Sequence, residues 1–309
     1  MNLTQIRAFH LVAQAGSFSL AARSQGVSQP TLSAQVKALE ATYGVALFDR
    51  RGRGVQMTST GQSLYAVTTR LFAAEDEAGA ILAGSRALTR GHLRVSADGP
   101  YHVMRLLAEL KRRHAGITFS VKIDNSANVL SHVLDHAADI AVTAKITSDP
   151  RIHSIKLRED RIVLFMRKDH PWAKRRRVRL TDLAGRDIVV RERGSITREA
   201  FETRLVEAGI VPSSLIEVQT REAVREAVGA GFGLGVVFDS EFRADDRFHS
   251  LEIGDCDLAV GEYVACLQER RQLALVRAFL QVGRDIGNAP APSRRASPTK
   301  PLSEASLAD

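Results

Sequence analysis

The chain is 309 residues long, carries 43 Lys and Arg against 35 Asp and Glu for a formal net charge of +8, and is 44% hydrophobic; at roughly 150 residues per domain this predicts about two domains, each able to bury a core. No run of 18 apolar residues exists, and Met1 to His10 lacks a basic patch followed by an apolar stretch, so neither a membrane span nor an export leader is expected and the expected location is the cytoplasm. Cys256 and Cys266 have no CxxC spacing and no neighbouring histidine pair, which argues against a zinc site and a disulfide framework, and no metal or cofactor is expected.

Half of the net charge falls in residues 1–57, where Arg7, Arg23, Lys37, Arg50, Arg51 and Arg53 are set against Glu40 and Asp49. Nucleic-acid binding needs a local basic field of this kind rather than a high average. Leu3, Ile6, Phe9, Val12 and Ala13 recur at helical spacing until Gly16 and Ser17, which predicts a first helix of about twelve residues; a second short helix follows over Ser19 to Gln25. Gly26 and Val27 make a tight turn, and Ser28 is placed to cap a third helix whose first turn holds Pro30, tolerated where amides lack intrahelical partners. With Leu32, Val36 and Leu39 turned inward, Gln29, Pro30, Thr31, Ser33, Ala34 and Lys37 are left on or beside the exposed face. These short polar groups suit base edges and phosphates in a major groove. After Gly44, residues 45–58 read as two short strands around a basic glycine-rich turn, whose Arg50, Arg51 and Arg53 can straddle a phosphate backbone. Alone, such a turn is an ordinary solvated loop; directly after a helix-turn-helix it reads as a wing.

From Thr58 and Ser59 a helix is expected in which Leu64, Val67, Leu71, Ala74, Ala78 and Ile81 alternate by three and four, a seam better matched to a second subunit than to its own small head. Gly79 and Gly84 weaken its end and place a hinge near residues 85–91. Beyond His92 the pattern alternates. A strand at 93–97, a helix from Pro100 to Arg113, a strand at 119–123, a helix at 126–135 and a strand at 139–142 form one β-α-β-α-β set. A second set comprises strands at 188–190, 216–218 and 234–238 with helices at 197–208 and 221–230. Both imply parallel sheets with right-handed crossovers. Apolar stretches at 162–166 and 262–267 are the expected crossings between two α/β lobes, giving a hinged domain with a cleft.

Ligands in open parallel sheets sit outside the carboxyl ends of the strands, where helix amino termini aim their amides. The corners to examine are therefore Asp98-Gly99-Pro100-Tyr101, Asn125-Ser126, Arg193-Gly194-Ser195-Ile196-Thr197 and Thr220-Arg221-Glu222. Amides and hydroxyls converging with Arg193 or Arg221 suit a small anion, and Asp98 or Glu222 could answer a ligand amine. For Ser126, Thr197 and Thr220 plain helix capping is an equally good reading. The glycine-rich stretch Gly229 to Gly235 ends a helix and precedes a strand, the reverse of a dinucleotide loop. Lys174 to Arg177 with Arg179 reads as a solvated loop, and His132 and His136 lack the glutamate of a zinc-protease motif. The proline-containing tail, 288–309, is expected to be disordered.

Taken together, Phe9, Gly16-Ser17-Phe18, Ala21-Ala22, Val27-Ser28-Gln29-Pro30, Leu32-Ser33, Leu39-Glu40, Leu47-Phe48, Arg50, and Thr58 before Gly61 closely resemble the LysR-type transcriptional regulators. The resemblance runs nearly the whole chain, to about Arg284, and implies an α+β multidomain protein. Its parts are a winged helix-turn-helix head (1–58), a dimerising linker helix with hinge (59–90) and a bilobed α/β effector domain like a periplasmic binding protein (91–287). Lobe I is expected over about 91–162 and 267–287, lobe II over 163–266. It further implies double-stranded promoter DNA, a small effector and a second copy of the chain as partners, often as a dimer of dimers, with RNA polymerase as a further partner and no enzymatic activity. Ser28, Gln29, Pro30 and Ser33 fall on the family's recognition positions and Arg50, Arg51 and Arg53 on its wing; Ala34 stands where many members carry a basic residue. Thr143, after the third effector-domain strand, joins the cleft candidates. A narrower likeness lies in Ala97 to Met104, Arg193 to Arg198, Arg221 to Val228 and Glu269 to Arg271, which look like the subgroup associated with aminoethylphosphonate catabolism. Two other classes compete at lower weight. A solute-binding protein would have no use for the head, and an effector-independent architectural DNA protein would show no ligand response. The resemblance implies that Gln29→Ala lowers affinity for the promoter but not for random DNA. Arg51→Ala should weaken both and reduce the salt slope by about 1, read by fluorescence anisotropy over a salt series.

Overall fold

The computed structural model describes residues 2–49, 55–83, 91–242 and 245–288, and over 76–83 only the side chains of Ala78, Gly79 and Leu82. Arg50, Arg51 and Arg53, the expected hinge up to residue 90 and the tail from residue 289 lie outside the described residues. The head comprises α1 (Leu3–Ala15), α2 (Phe18–Gln25) and α3 (Gln29–Tyr43), then the antiparallel pair β1 (Phe48–Asp49) and β2 (Gln56–Met57). Asn2, Ser17 and Ser28 cap the three helices with their side chains. Each helix stops on a glycine in the left-handed region, Gly16, Gly26 and Gly44 at φ of 61°, 65° and 64°, where a Cβ would be strained. Phe9, Val12, Ala21, Val36, Leu39, Leu47 and Phe48 close one small core, and the Glu40 carboxylate accepts the Leu47 and Phe48 amides, tying α3 to β1.

A single helix, α4 (Ser59–Ala83), leaves the head. Thr58 caps it by accepting the Gly61 amide at 3.0 Å, while its hydroxyl donates to the Ala46 carbonyl. A Cβ on Gly61 would stand 2.2 Å from the Leu47 carbonyl oxygen, so only glycine permits this approach. The expected seam divides. Leu64 and Tyr65 pack on the head core, Phe72 is buried in it and Thr68 meets His10, whereas Val67, Leu71, Ala74, Ala78 and Leu82 are exposed. Leu64 is thus displaced from the partner seam by the head, because Thr58 and Gly61 hold the first turns of α4 against β1. The side chain of Ile81 lies outside the described residues.

The remaining elements are β3 (Gly91–Ala97), α5 (Pro100–Arg113), β4 (Ile117–Ile123), α6 (Ser126–Leu134), β5 (Ile140–Thr143), β6 (Ile152–Arg167), β7 (Arg177–Val178), β8 (Asp187–Arg191), α7 (Ile196–Glu207), β9 (Ser214–Val218), α8 (Arg221–Gly229), β10 (Leu234–Phe238), β11 (Phe248–Ile253), β12 (Ala259–Leu267) and α9 (Ala274–Asn288). The strands lie in the order β4-β3-β5-β12-β6-β10-β8-β9. The trios β3, β4, β5 and β8, β9, β10 are parallel within themselves. The 16-residue β6 pairs with β12 from Ile152 to Arg161 and with β10 from Ile162 to Phe165, so one strand serves both lobes. Leu93, Leu106, Ile140, Val264, Cys266 and Phe279 belong to the core of lobe I; Ile162, Leu164, Leu183, Val190, Phe201 and Leu258 belong to that of lobe II.

The return crossing comes earlier than expected. Val264 and Cys266 pack in lobe I, and the β12–β6 register shifts between Glu262 and Tyr263, so the chain changes lobes near Gly261 and Glu262 instead of after 266. The first half of β6, the strands β7 and β11, and α9 were not anticipated from the sequence. Phe9 is fully buried, with its ring centroid 5.3 Å from that of Phe48. Phe9→Ala should therefore destabilise the head by about 3–5 kcal/mol in denaturant unfolding.

Candidate DNA-binding face and effector cleft

On the head, Ser28, Gln29, Pro30, Thr31, Ala34 and Lys37 are exposed and Ser33 is half-buried, all on the side of α3 away from Leu32, Val36 and Leu39. Ser28 and Thr31 are not wholly free: the Ser28 hydroxyl accepts the Thr31 amide at 3.2 Å and lies 2.7 Å from its hydroxyl. Gln29 and Lys37 are the long polar side chains of this face.

In the effector domain the strand-to-helix corners of the two lobes oppose one another, but they differ in what they offer. Asp98 is buried and committed: one carboxylate oxygen accepts Ser126 Oγ at 2.8 Å, Thr143 Oγ1 at 3.0 Å and the Ala144 amide at 2.8 Å. Ser126 and Thr143 are thereby locked beneath the corner, and Asp98 is held by protein donors instead of offering itself to a ligand amine. The helix caps also differ from expectation. Asn125, not Ser126, caps α6; Ser195, not Thr197, stands at the N-cap of α7; Thr220 caps α8 by accepting the Ala223 amide. Ser195 makes no capping bond with its side chain. The Ser195 and Thr197 hydroxyls, both on buried residues, have no hydrogen-bond partner among the described residues.

Arg221 is a latch. Its Nη1 donates to the Asp98 carbonyl of the other lobe at 2.6 Å and its Nε to Glu241 at 2.6 Å. A Cβ on Gly99 would lie 2.9 Å from Glu241 and 3.1 Å from the Arg221 guanidinium, so this glycine admits the latch. Gly194, at φ 93°, forms a second bridge: the Ala127 amide of α6 donates to its carbonyl at 3.2 Å. Arg191, which sequence reasoning passed over, is buried and bidentate to Glu192. Arg193 is exposed, with no partner among the described residues, and Glu222 likewise. Between the corners lies a chamber of about 560 Å³ lined by Asn125, Arg191, Glu192, Thr220, Arg221 and Glu222. Pro100, Arg191, Arg221 and Glu222 also line a larger cavity of about 800 Å³, whose wall includes Tyr101.

Behind the latch sits an acidic cluster that sequence reasoning missed. Glu262 on β12 is 4% exposed and has no hydrogen-bond partner among the described residues. Burial, then the neighbouring Asp98 and Glu241, push its carboxyl well above the usual range, with Arg221 opposing. Burial likewise raises Glu241 against the pull of Arg221. Asp160 on β6 is held low: burial acts upwards, but bonds from His102, Ser240 and backbone amides outweigh it. The only signal in the sequence was a glutamate opening an otherwise apolar strand.

Elsewhere, His132 accepts or donates at Ser96 Oγ at 2.8 Å and meets Lys122 at 2.9 Å, so it is engaged on the surface of its own lobe. Arg175 and Arg186 lie over the Trp172 ring and Arg177 pairs with Glu252. Among the described residues no group of three or more His, Cys, Asp or Glu could hold a metal, and no helix is long and apolar enough to cross a membrane.

The bacterial regulatory helix-turn-helix protein, lysR family, model matches residues 3–62, and the LysR substrate binding domain model matches 86–286. The chain belongs to the LysR family. As a LysR-type protein it is a DNA-binding transcriptional regulator with an effector-binding domain, and not an enzyme. It is 30% identical to the HTH-type transcriptional activator CmpR of Synechocystis sp. over 76% of this chain and 78% of CmpR. It is also 30% identical to the RuBisCO operon transcriptional regulator of Allochromatium vinosum, over 77% and 79% of the two chains. Its fold matches that of full-length CbnR in complex with target DNA, with a TM-score of 0.68 at 22% identity, covering 93% of this chain and all of that one.

The buried acid of this LysR-type regulator carries a testable pH dependence. Because Glu262 is raised above its ordinary 4.5, ionising it opposes folding, and stability is lost as pH rises from there through the folded-state value. Glu262→Gln should therefore leave the melting temperature unchanged near pH 4. It should stabilise increasingly at higher pH, by up to about 1.4 kcal/mol per unit, as read by thermal unfolding between pH 4 and 8.

Proposed function

We propose that this LysR-type regulator is a homo-oligomer that reads an interrupted palindromic promoter through Gln29, Pro30, Ser33 and Lys37, with Ser28 and Thr31 at the helix start and Arg50, Arg51 and Arg53 on the phosphates. Pairing runs along the exposed stripe Val67, Leu71, Ala74, Ala78 and Leu82 of α4, which offers the apolar repeat of a coiled seam. A small anion enters between the lobes and changes the geometry of the oligomer.

The observation that carries the effector reading is the pair of unpartnered hydroxyls, Ser195 and Thr197, at the amino terminus of α7, where free amides and the helix dipole favour negative charge. Arg193 supplies the nearest unpaired cation of that corner, and Glu222 is the carboxylate left for an ammonium, since Asp98 is already bonded. Arg221 and Gly99, Pro100 and Tyr101 shape the mouth. An aminoethylphosphonate-like zwitterion fits this division of charge. A second reading is favoured by the relatives, one of which is named for the RuBisCO operon: an anionic effector of carbon metabolism in the same place.

The experiment is a thermal-shift series with aminoethylphosphonate, its aldehyde product, phosphate and sulfate on the full chain. Binding to the native state raises its melting temperature by mass action. A saturable shift with aminoethylphosphonate that is reduced in Ser195→Ala, with promoter binding retained, is the expected result. No shift with any of the four removes the phosphonate reading and leaves the carbon-metabolism anion.

A further inference from the structure

The pole of lobe II remote from the cleft carries most of the net charge of the chain. Residues 167–187 hold eight Lys and Arg against three Asp, a net of +5 out of +8. They lie where β6 ends at Arg167 and β8 begins at Asp187, at the opposite end of the lobe II sheet from the corners at Arg193 and Thr220. The three acids do not neutralise it: Asp169 is paired with Arg167, Asp182 accepts the Arg179 amide and Asp187 accepts the Ser214 hydroxyl. Lys168 and Arg177 are paired with Asp246 and Glu252. The side chains of Lys174, Arg175, Arg176, Arg179 and Arg186 are exposed and have no carboxylate partner among the described residues. Elsewhere on the same lobe Arg198, Arg204, Arg225 and Arg247 each hold one.

This surface is more ordered than the solvated loop expected from the sequence. The Arg175 and Arg186 guanidiniums stand 5.5 and 5.1 Å from the centre of the Trp172 ring, which is buried beneath them, and such stacking fixes where the two charges point. The backbone is extended at Arg175, across β7 and at Arg179, so Arg175, Arg177 and Arg179 follow one another at intervals of roughly 6–7 Å. Its composition selects the partner. A protein interface centres on apolar anchors; here Trp172, Val178 and Leu180 are all buried, and no apolar side chain larger than Pro171 is exposed over 167–187. Nucleic-acid interfaces are polar and strongly positive, and guanidiniums match phosphate oxygens two at a time.

We propose that this pole is a second DNA-contact surface, which holds the phosphate backbone of the duplex flanking the site read by the head. The inference rests on the chain being a DNA-binding regulator, and not on which anion the cleft takes. Because the head already tethers the duplex, contacts too weak to hold DNA alone act at high effective concentration. Flanking duplex is drawn toward lobe II at a bending cost that several phosphate contacts offset. The cleft lies at the other end of the sheet and stays open to its effector, while any rotation of lobe II moves the flanking DNA with it.

Binding of the full chain to a promoter fragment of roughly 100 bp, and to a duplex of roughly 30 bp cut from it around the palindrome, tests this by fluorescence anisotropy over a salt series. The triple variant Lys174→Gln, Arg176→Gln, Arg179→Gln removes three exposed charges that hold no carboxylate, so its thermal unfolding should match that of the unaltered protein. It should bind the long fragment about tenfold more weakly or worse, with a salt slope reduced by about 2–3, and bind the short duplex as the unaltered protein does. Hydroxyl-radical protection outside the palindrome should be lost with it. Binding of the short duplex by the unaltered protein reports separately on the head. Equal effects on the two lengths, no effect on either, or unchanged flanking protection overturns the proposal. So does a variant that loses binding to poly-glutamate while keeping its DNA binding at both lengths, which assigns the face to an acidic protein segment.

Discussion

The ligand-binding half of the molecule is governed by the double membership of β6 and β12. Strand β6 bonds to lobe I at one end and to lobe II at the other, β12 runs beside it with Val260 against the lobe II core and Val264 and Cys266 in that of lobe I, and the lobes are otherwise separate cores. Sharing a strand fixes which ends of the two sheets meet: the carboxyl ends of β3, β4 and β5 come to face those of β8, β9 and β10, with the helix starts between. A strand bends far more readily than a packed core deforms, so motion of one lobe against the other concentrates at Arg161 and Gly261. What closes the cleft is modest by comparison. The Arg221–Asp98 carbonyl bond, the Ala127–Gly194 bond and the half-exposed Lys145–Glu199 pair at 3.3 Å cross between the lobes. The neutral Ala127–Gly194 bond and the Lys145–Glu199 pair are each worth about 1 kcal/mol or less and the charged Arg221 bond about 1.5–3 kcal/mol, so closure is a bias that a ligand of ordinary affinity can shift.

That bias has an electrostatic side. Asp98, Asp160, Glu241 and Glu262 gather where the shared strands pass, with Arg221 as the cation common to three of them. Asp98 and Asp160 accept donated hydrogen bonds and Glu241 accepts the latch, while burial and the neighbouring acids push the Glu262 carboxyl above the usual range. Drawing Arg221 away from Glu241 would raise that carboxyl further, because burial without a cation is costly for a charged acid.

Much of this architecture was legible in the sequence because its signals are local. Glycines at 16, 26 and 44 and cap residues at 17 and 28 punctuate the head helices, and strand and helix periods alternate clearly from residue 92 onwards. The parts that escaped notice depend on distant partners. The first half of β6 alternates charged and apolar residues and is made a strand by β12, more than a hundred residues later. Capping was assigned to the right corners but one or two residues late at two of them, since Asn125, Ser126, Ser195 and Thr197 are all cap-type residues and only the extended backbone at Asn125 and Ser195 marks the N-cap. Asp98 looked available because nothing local shows that Ser126, Thr143 and Ala144 converge on it.

The head is fastened to α4 at two levels. Gly61 brings the first turn against the Leu47 carbonyl, and three turns on Arg7 lies over Phe72 while binding Glu75. Between them His10 is wedged against Tyr65 and Phe72, bonded to Thr68, and held neutral by burial and by nearby Arg94 and Arg7, its pKa lowered to about 4. The helix that carries the exposed apolar stripe is therefore fastened to the head whose third helix presents Gln29 and Lys37 outward. With pairing along α4 as proposed, helix α4 would act as a lever arm: a rotation of one copy about its partner would be carried to α3, and the separation of operator half-sites within reach would follow the angle between two α4 helices.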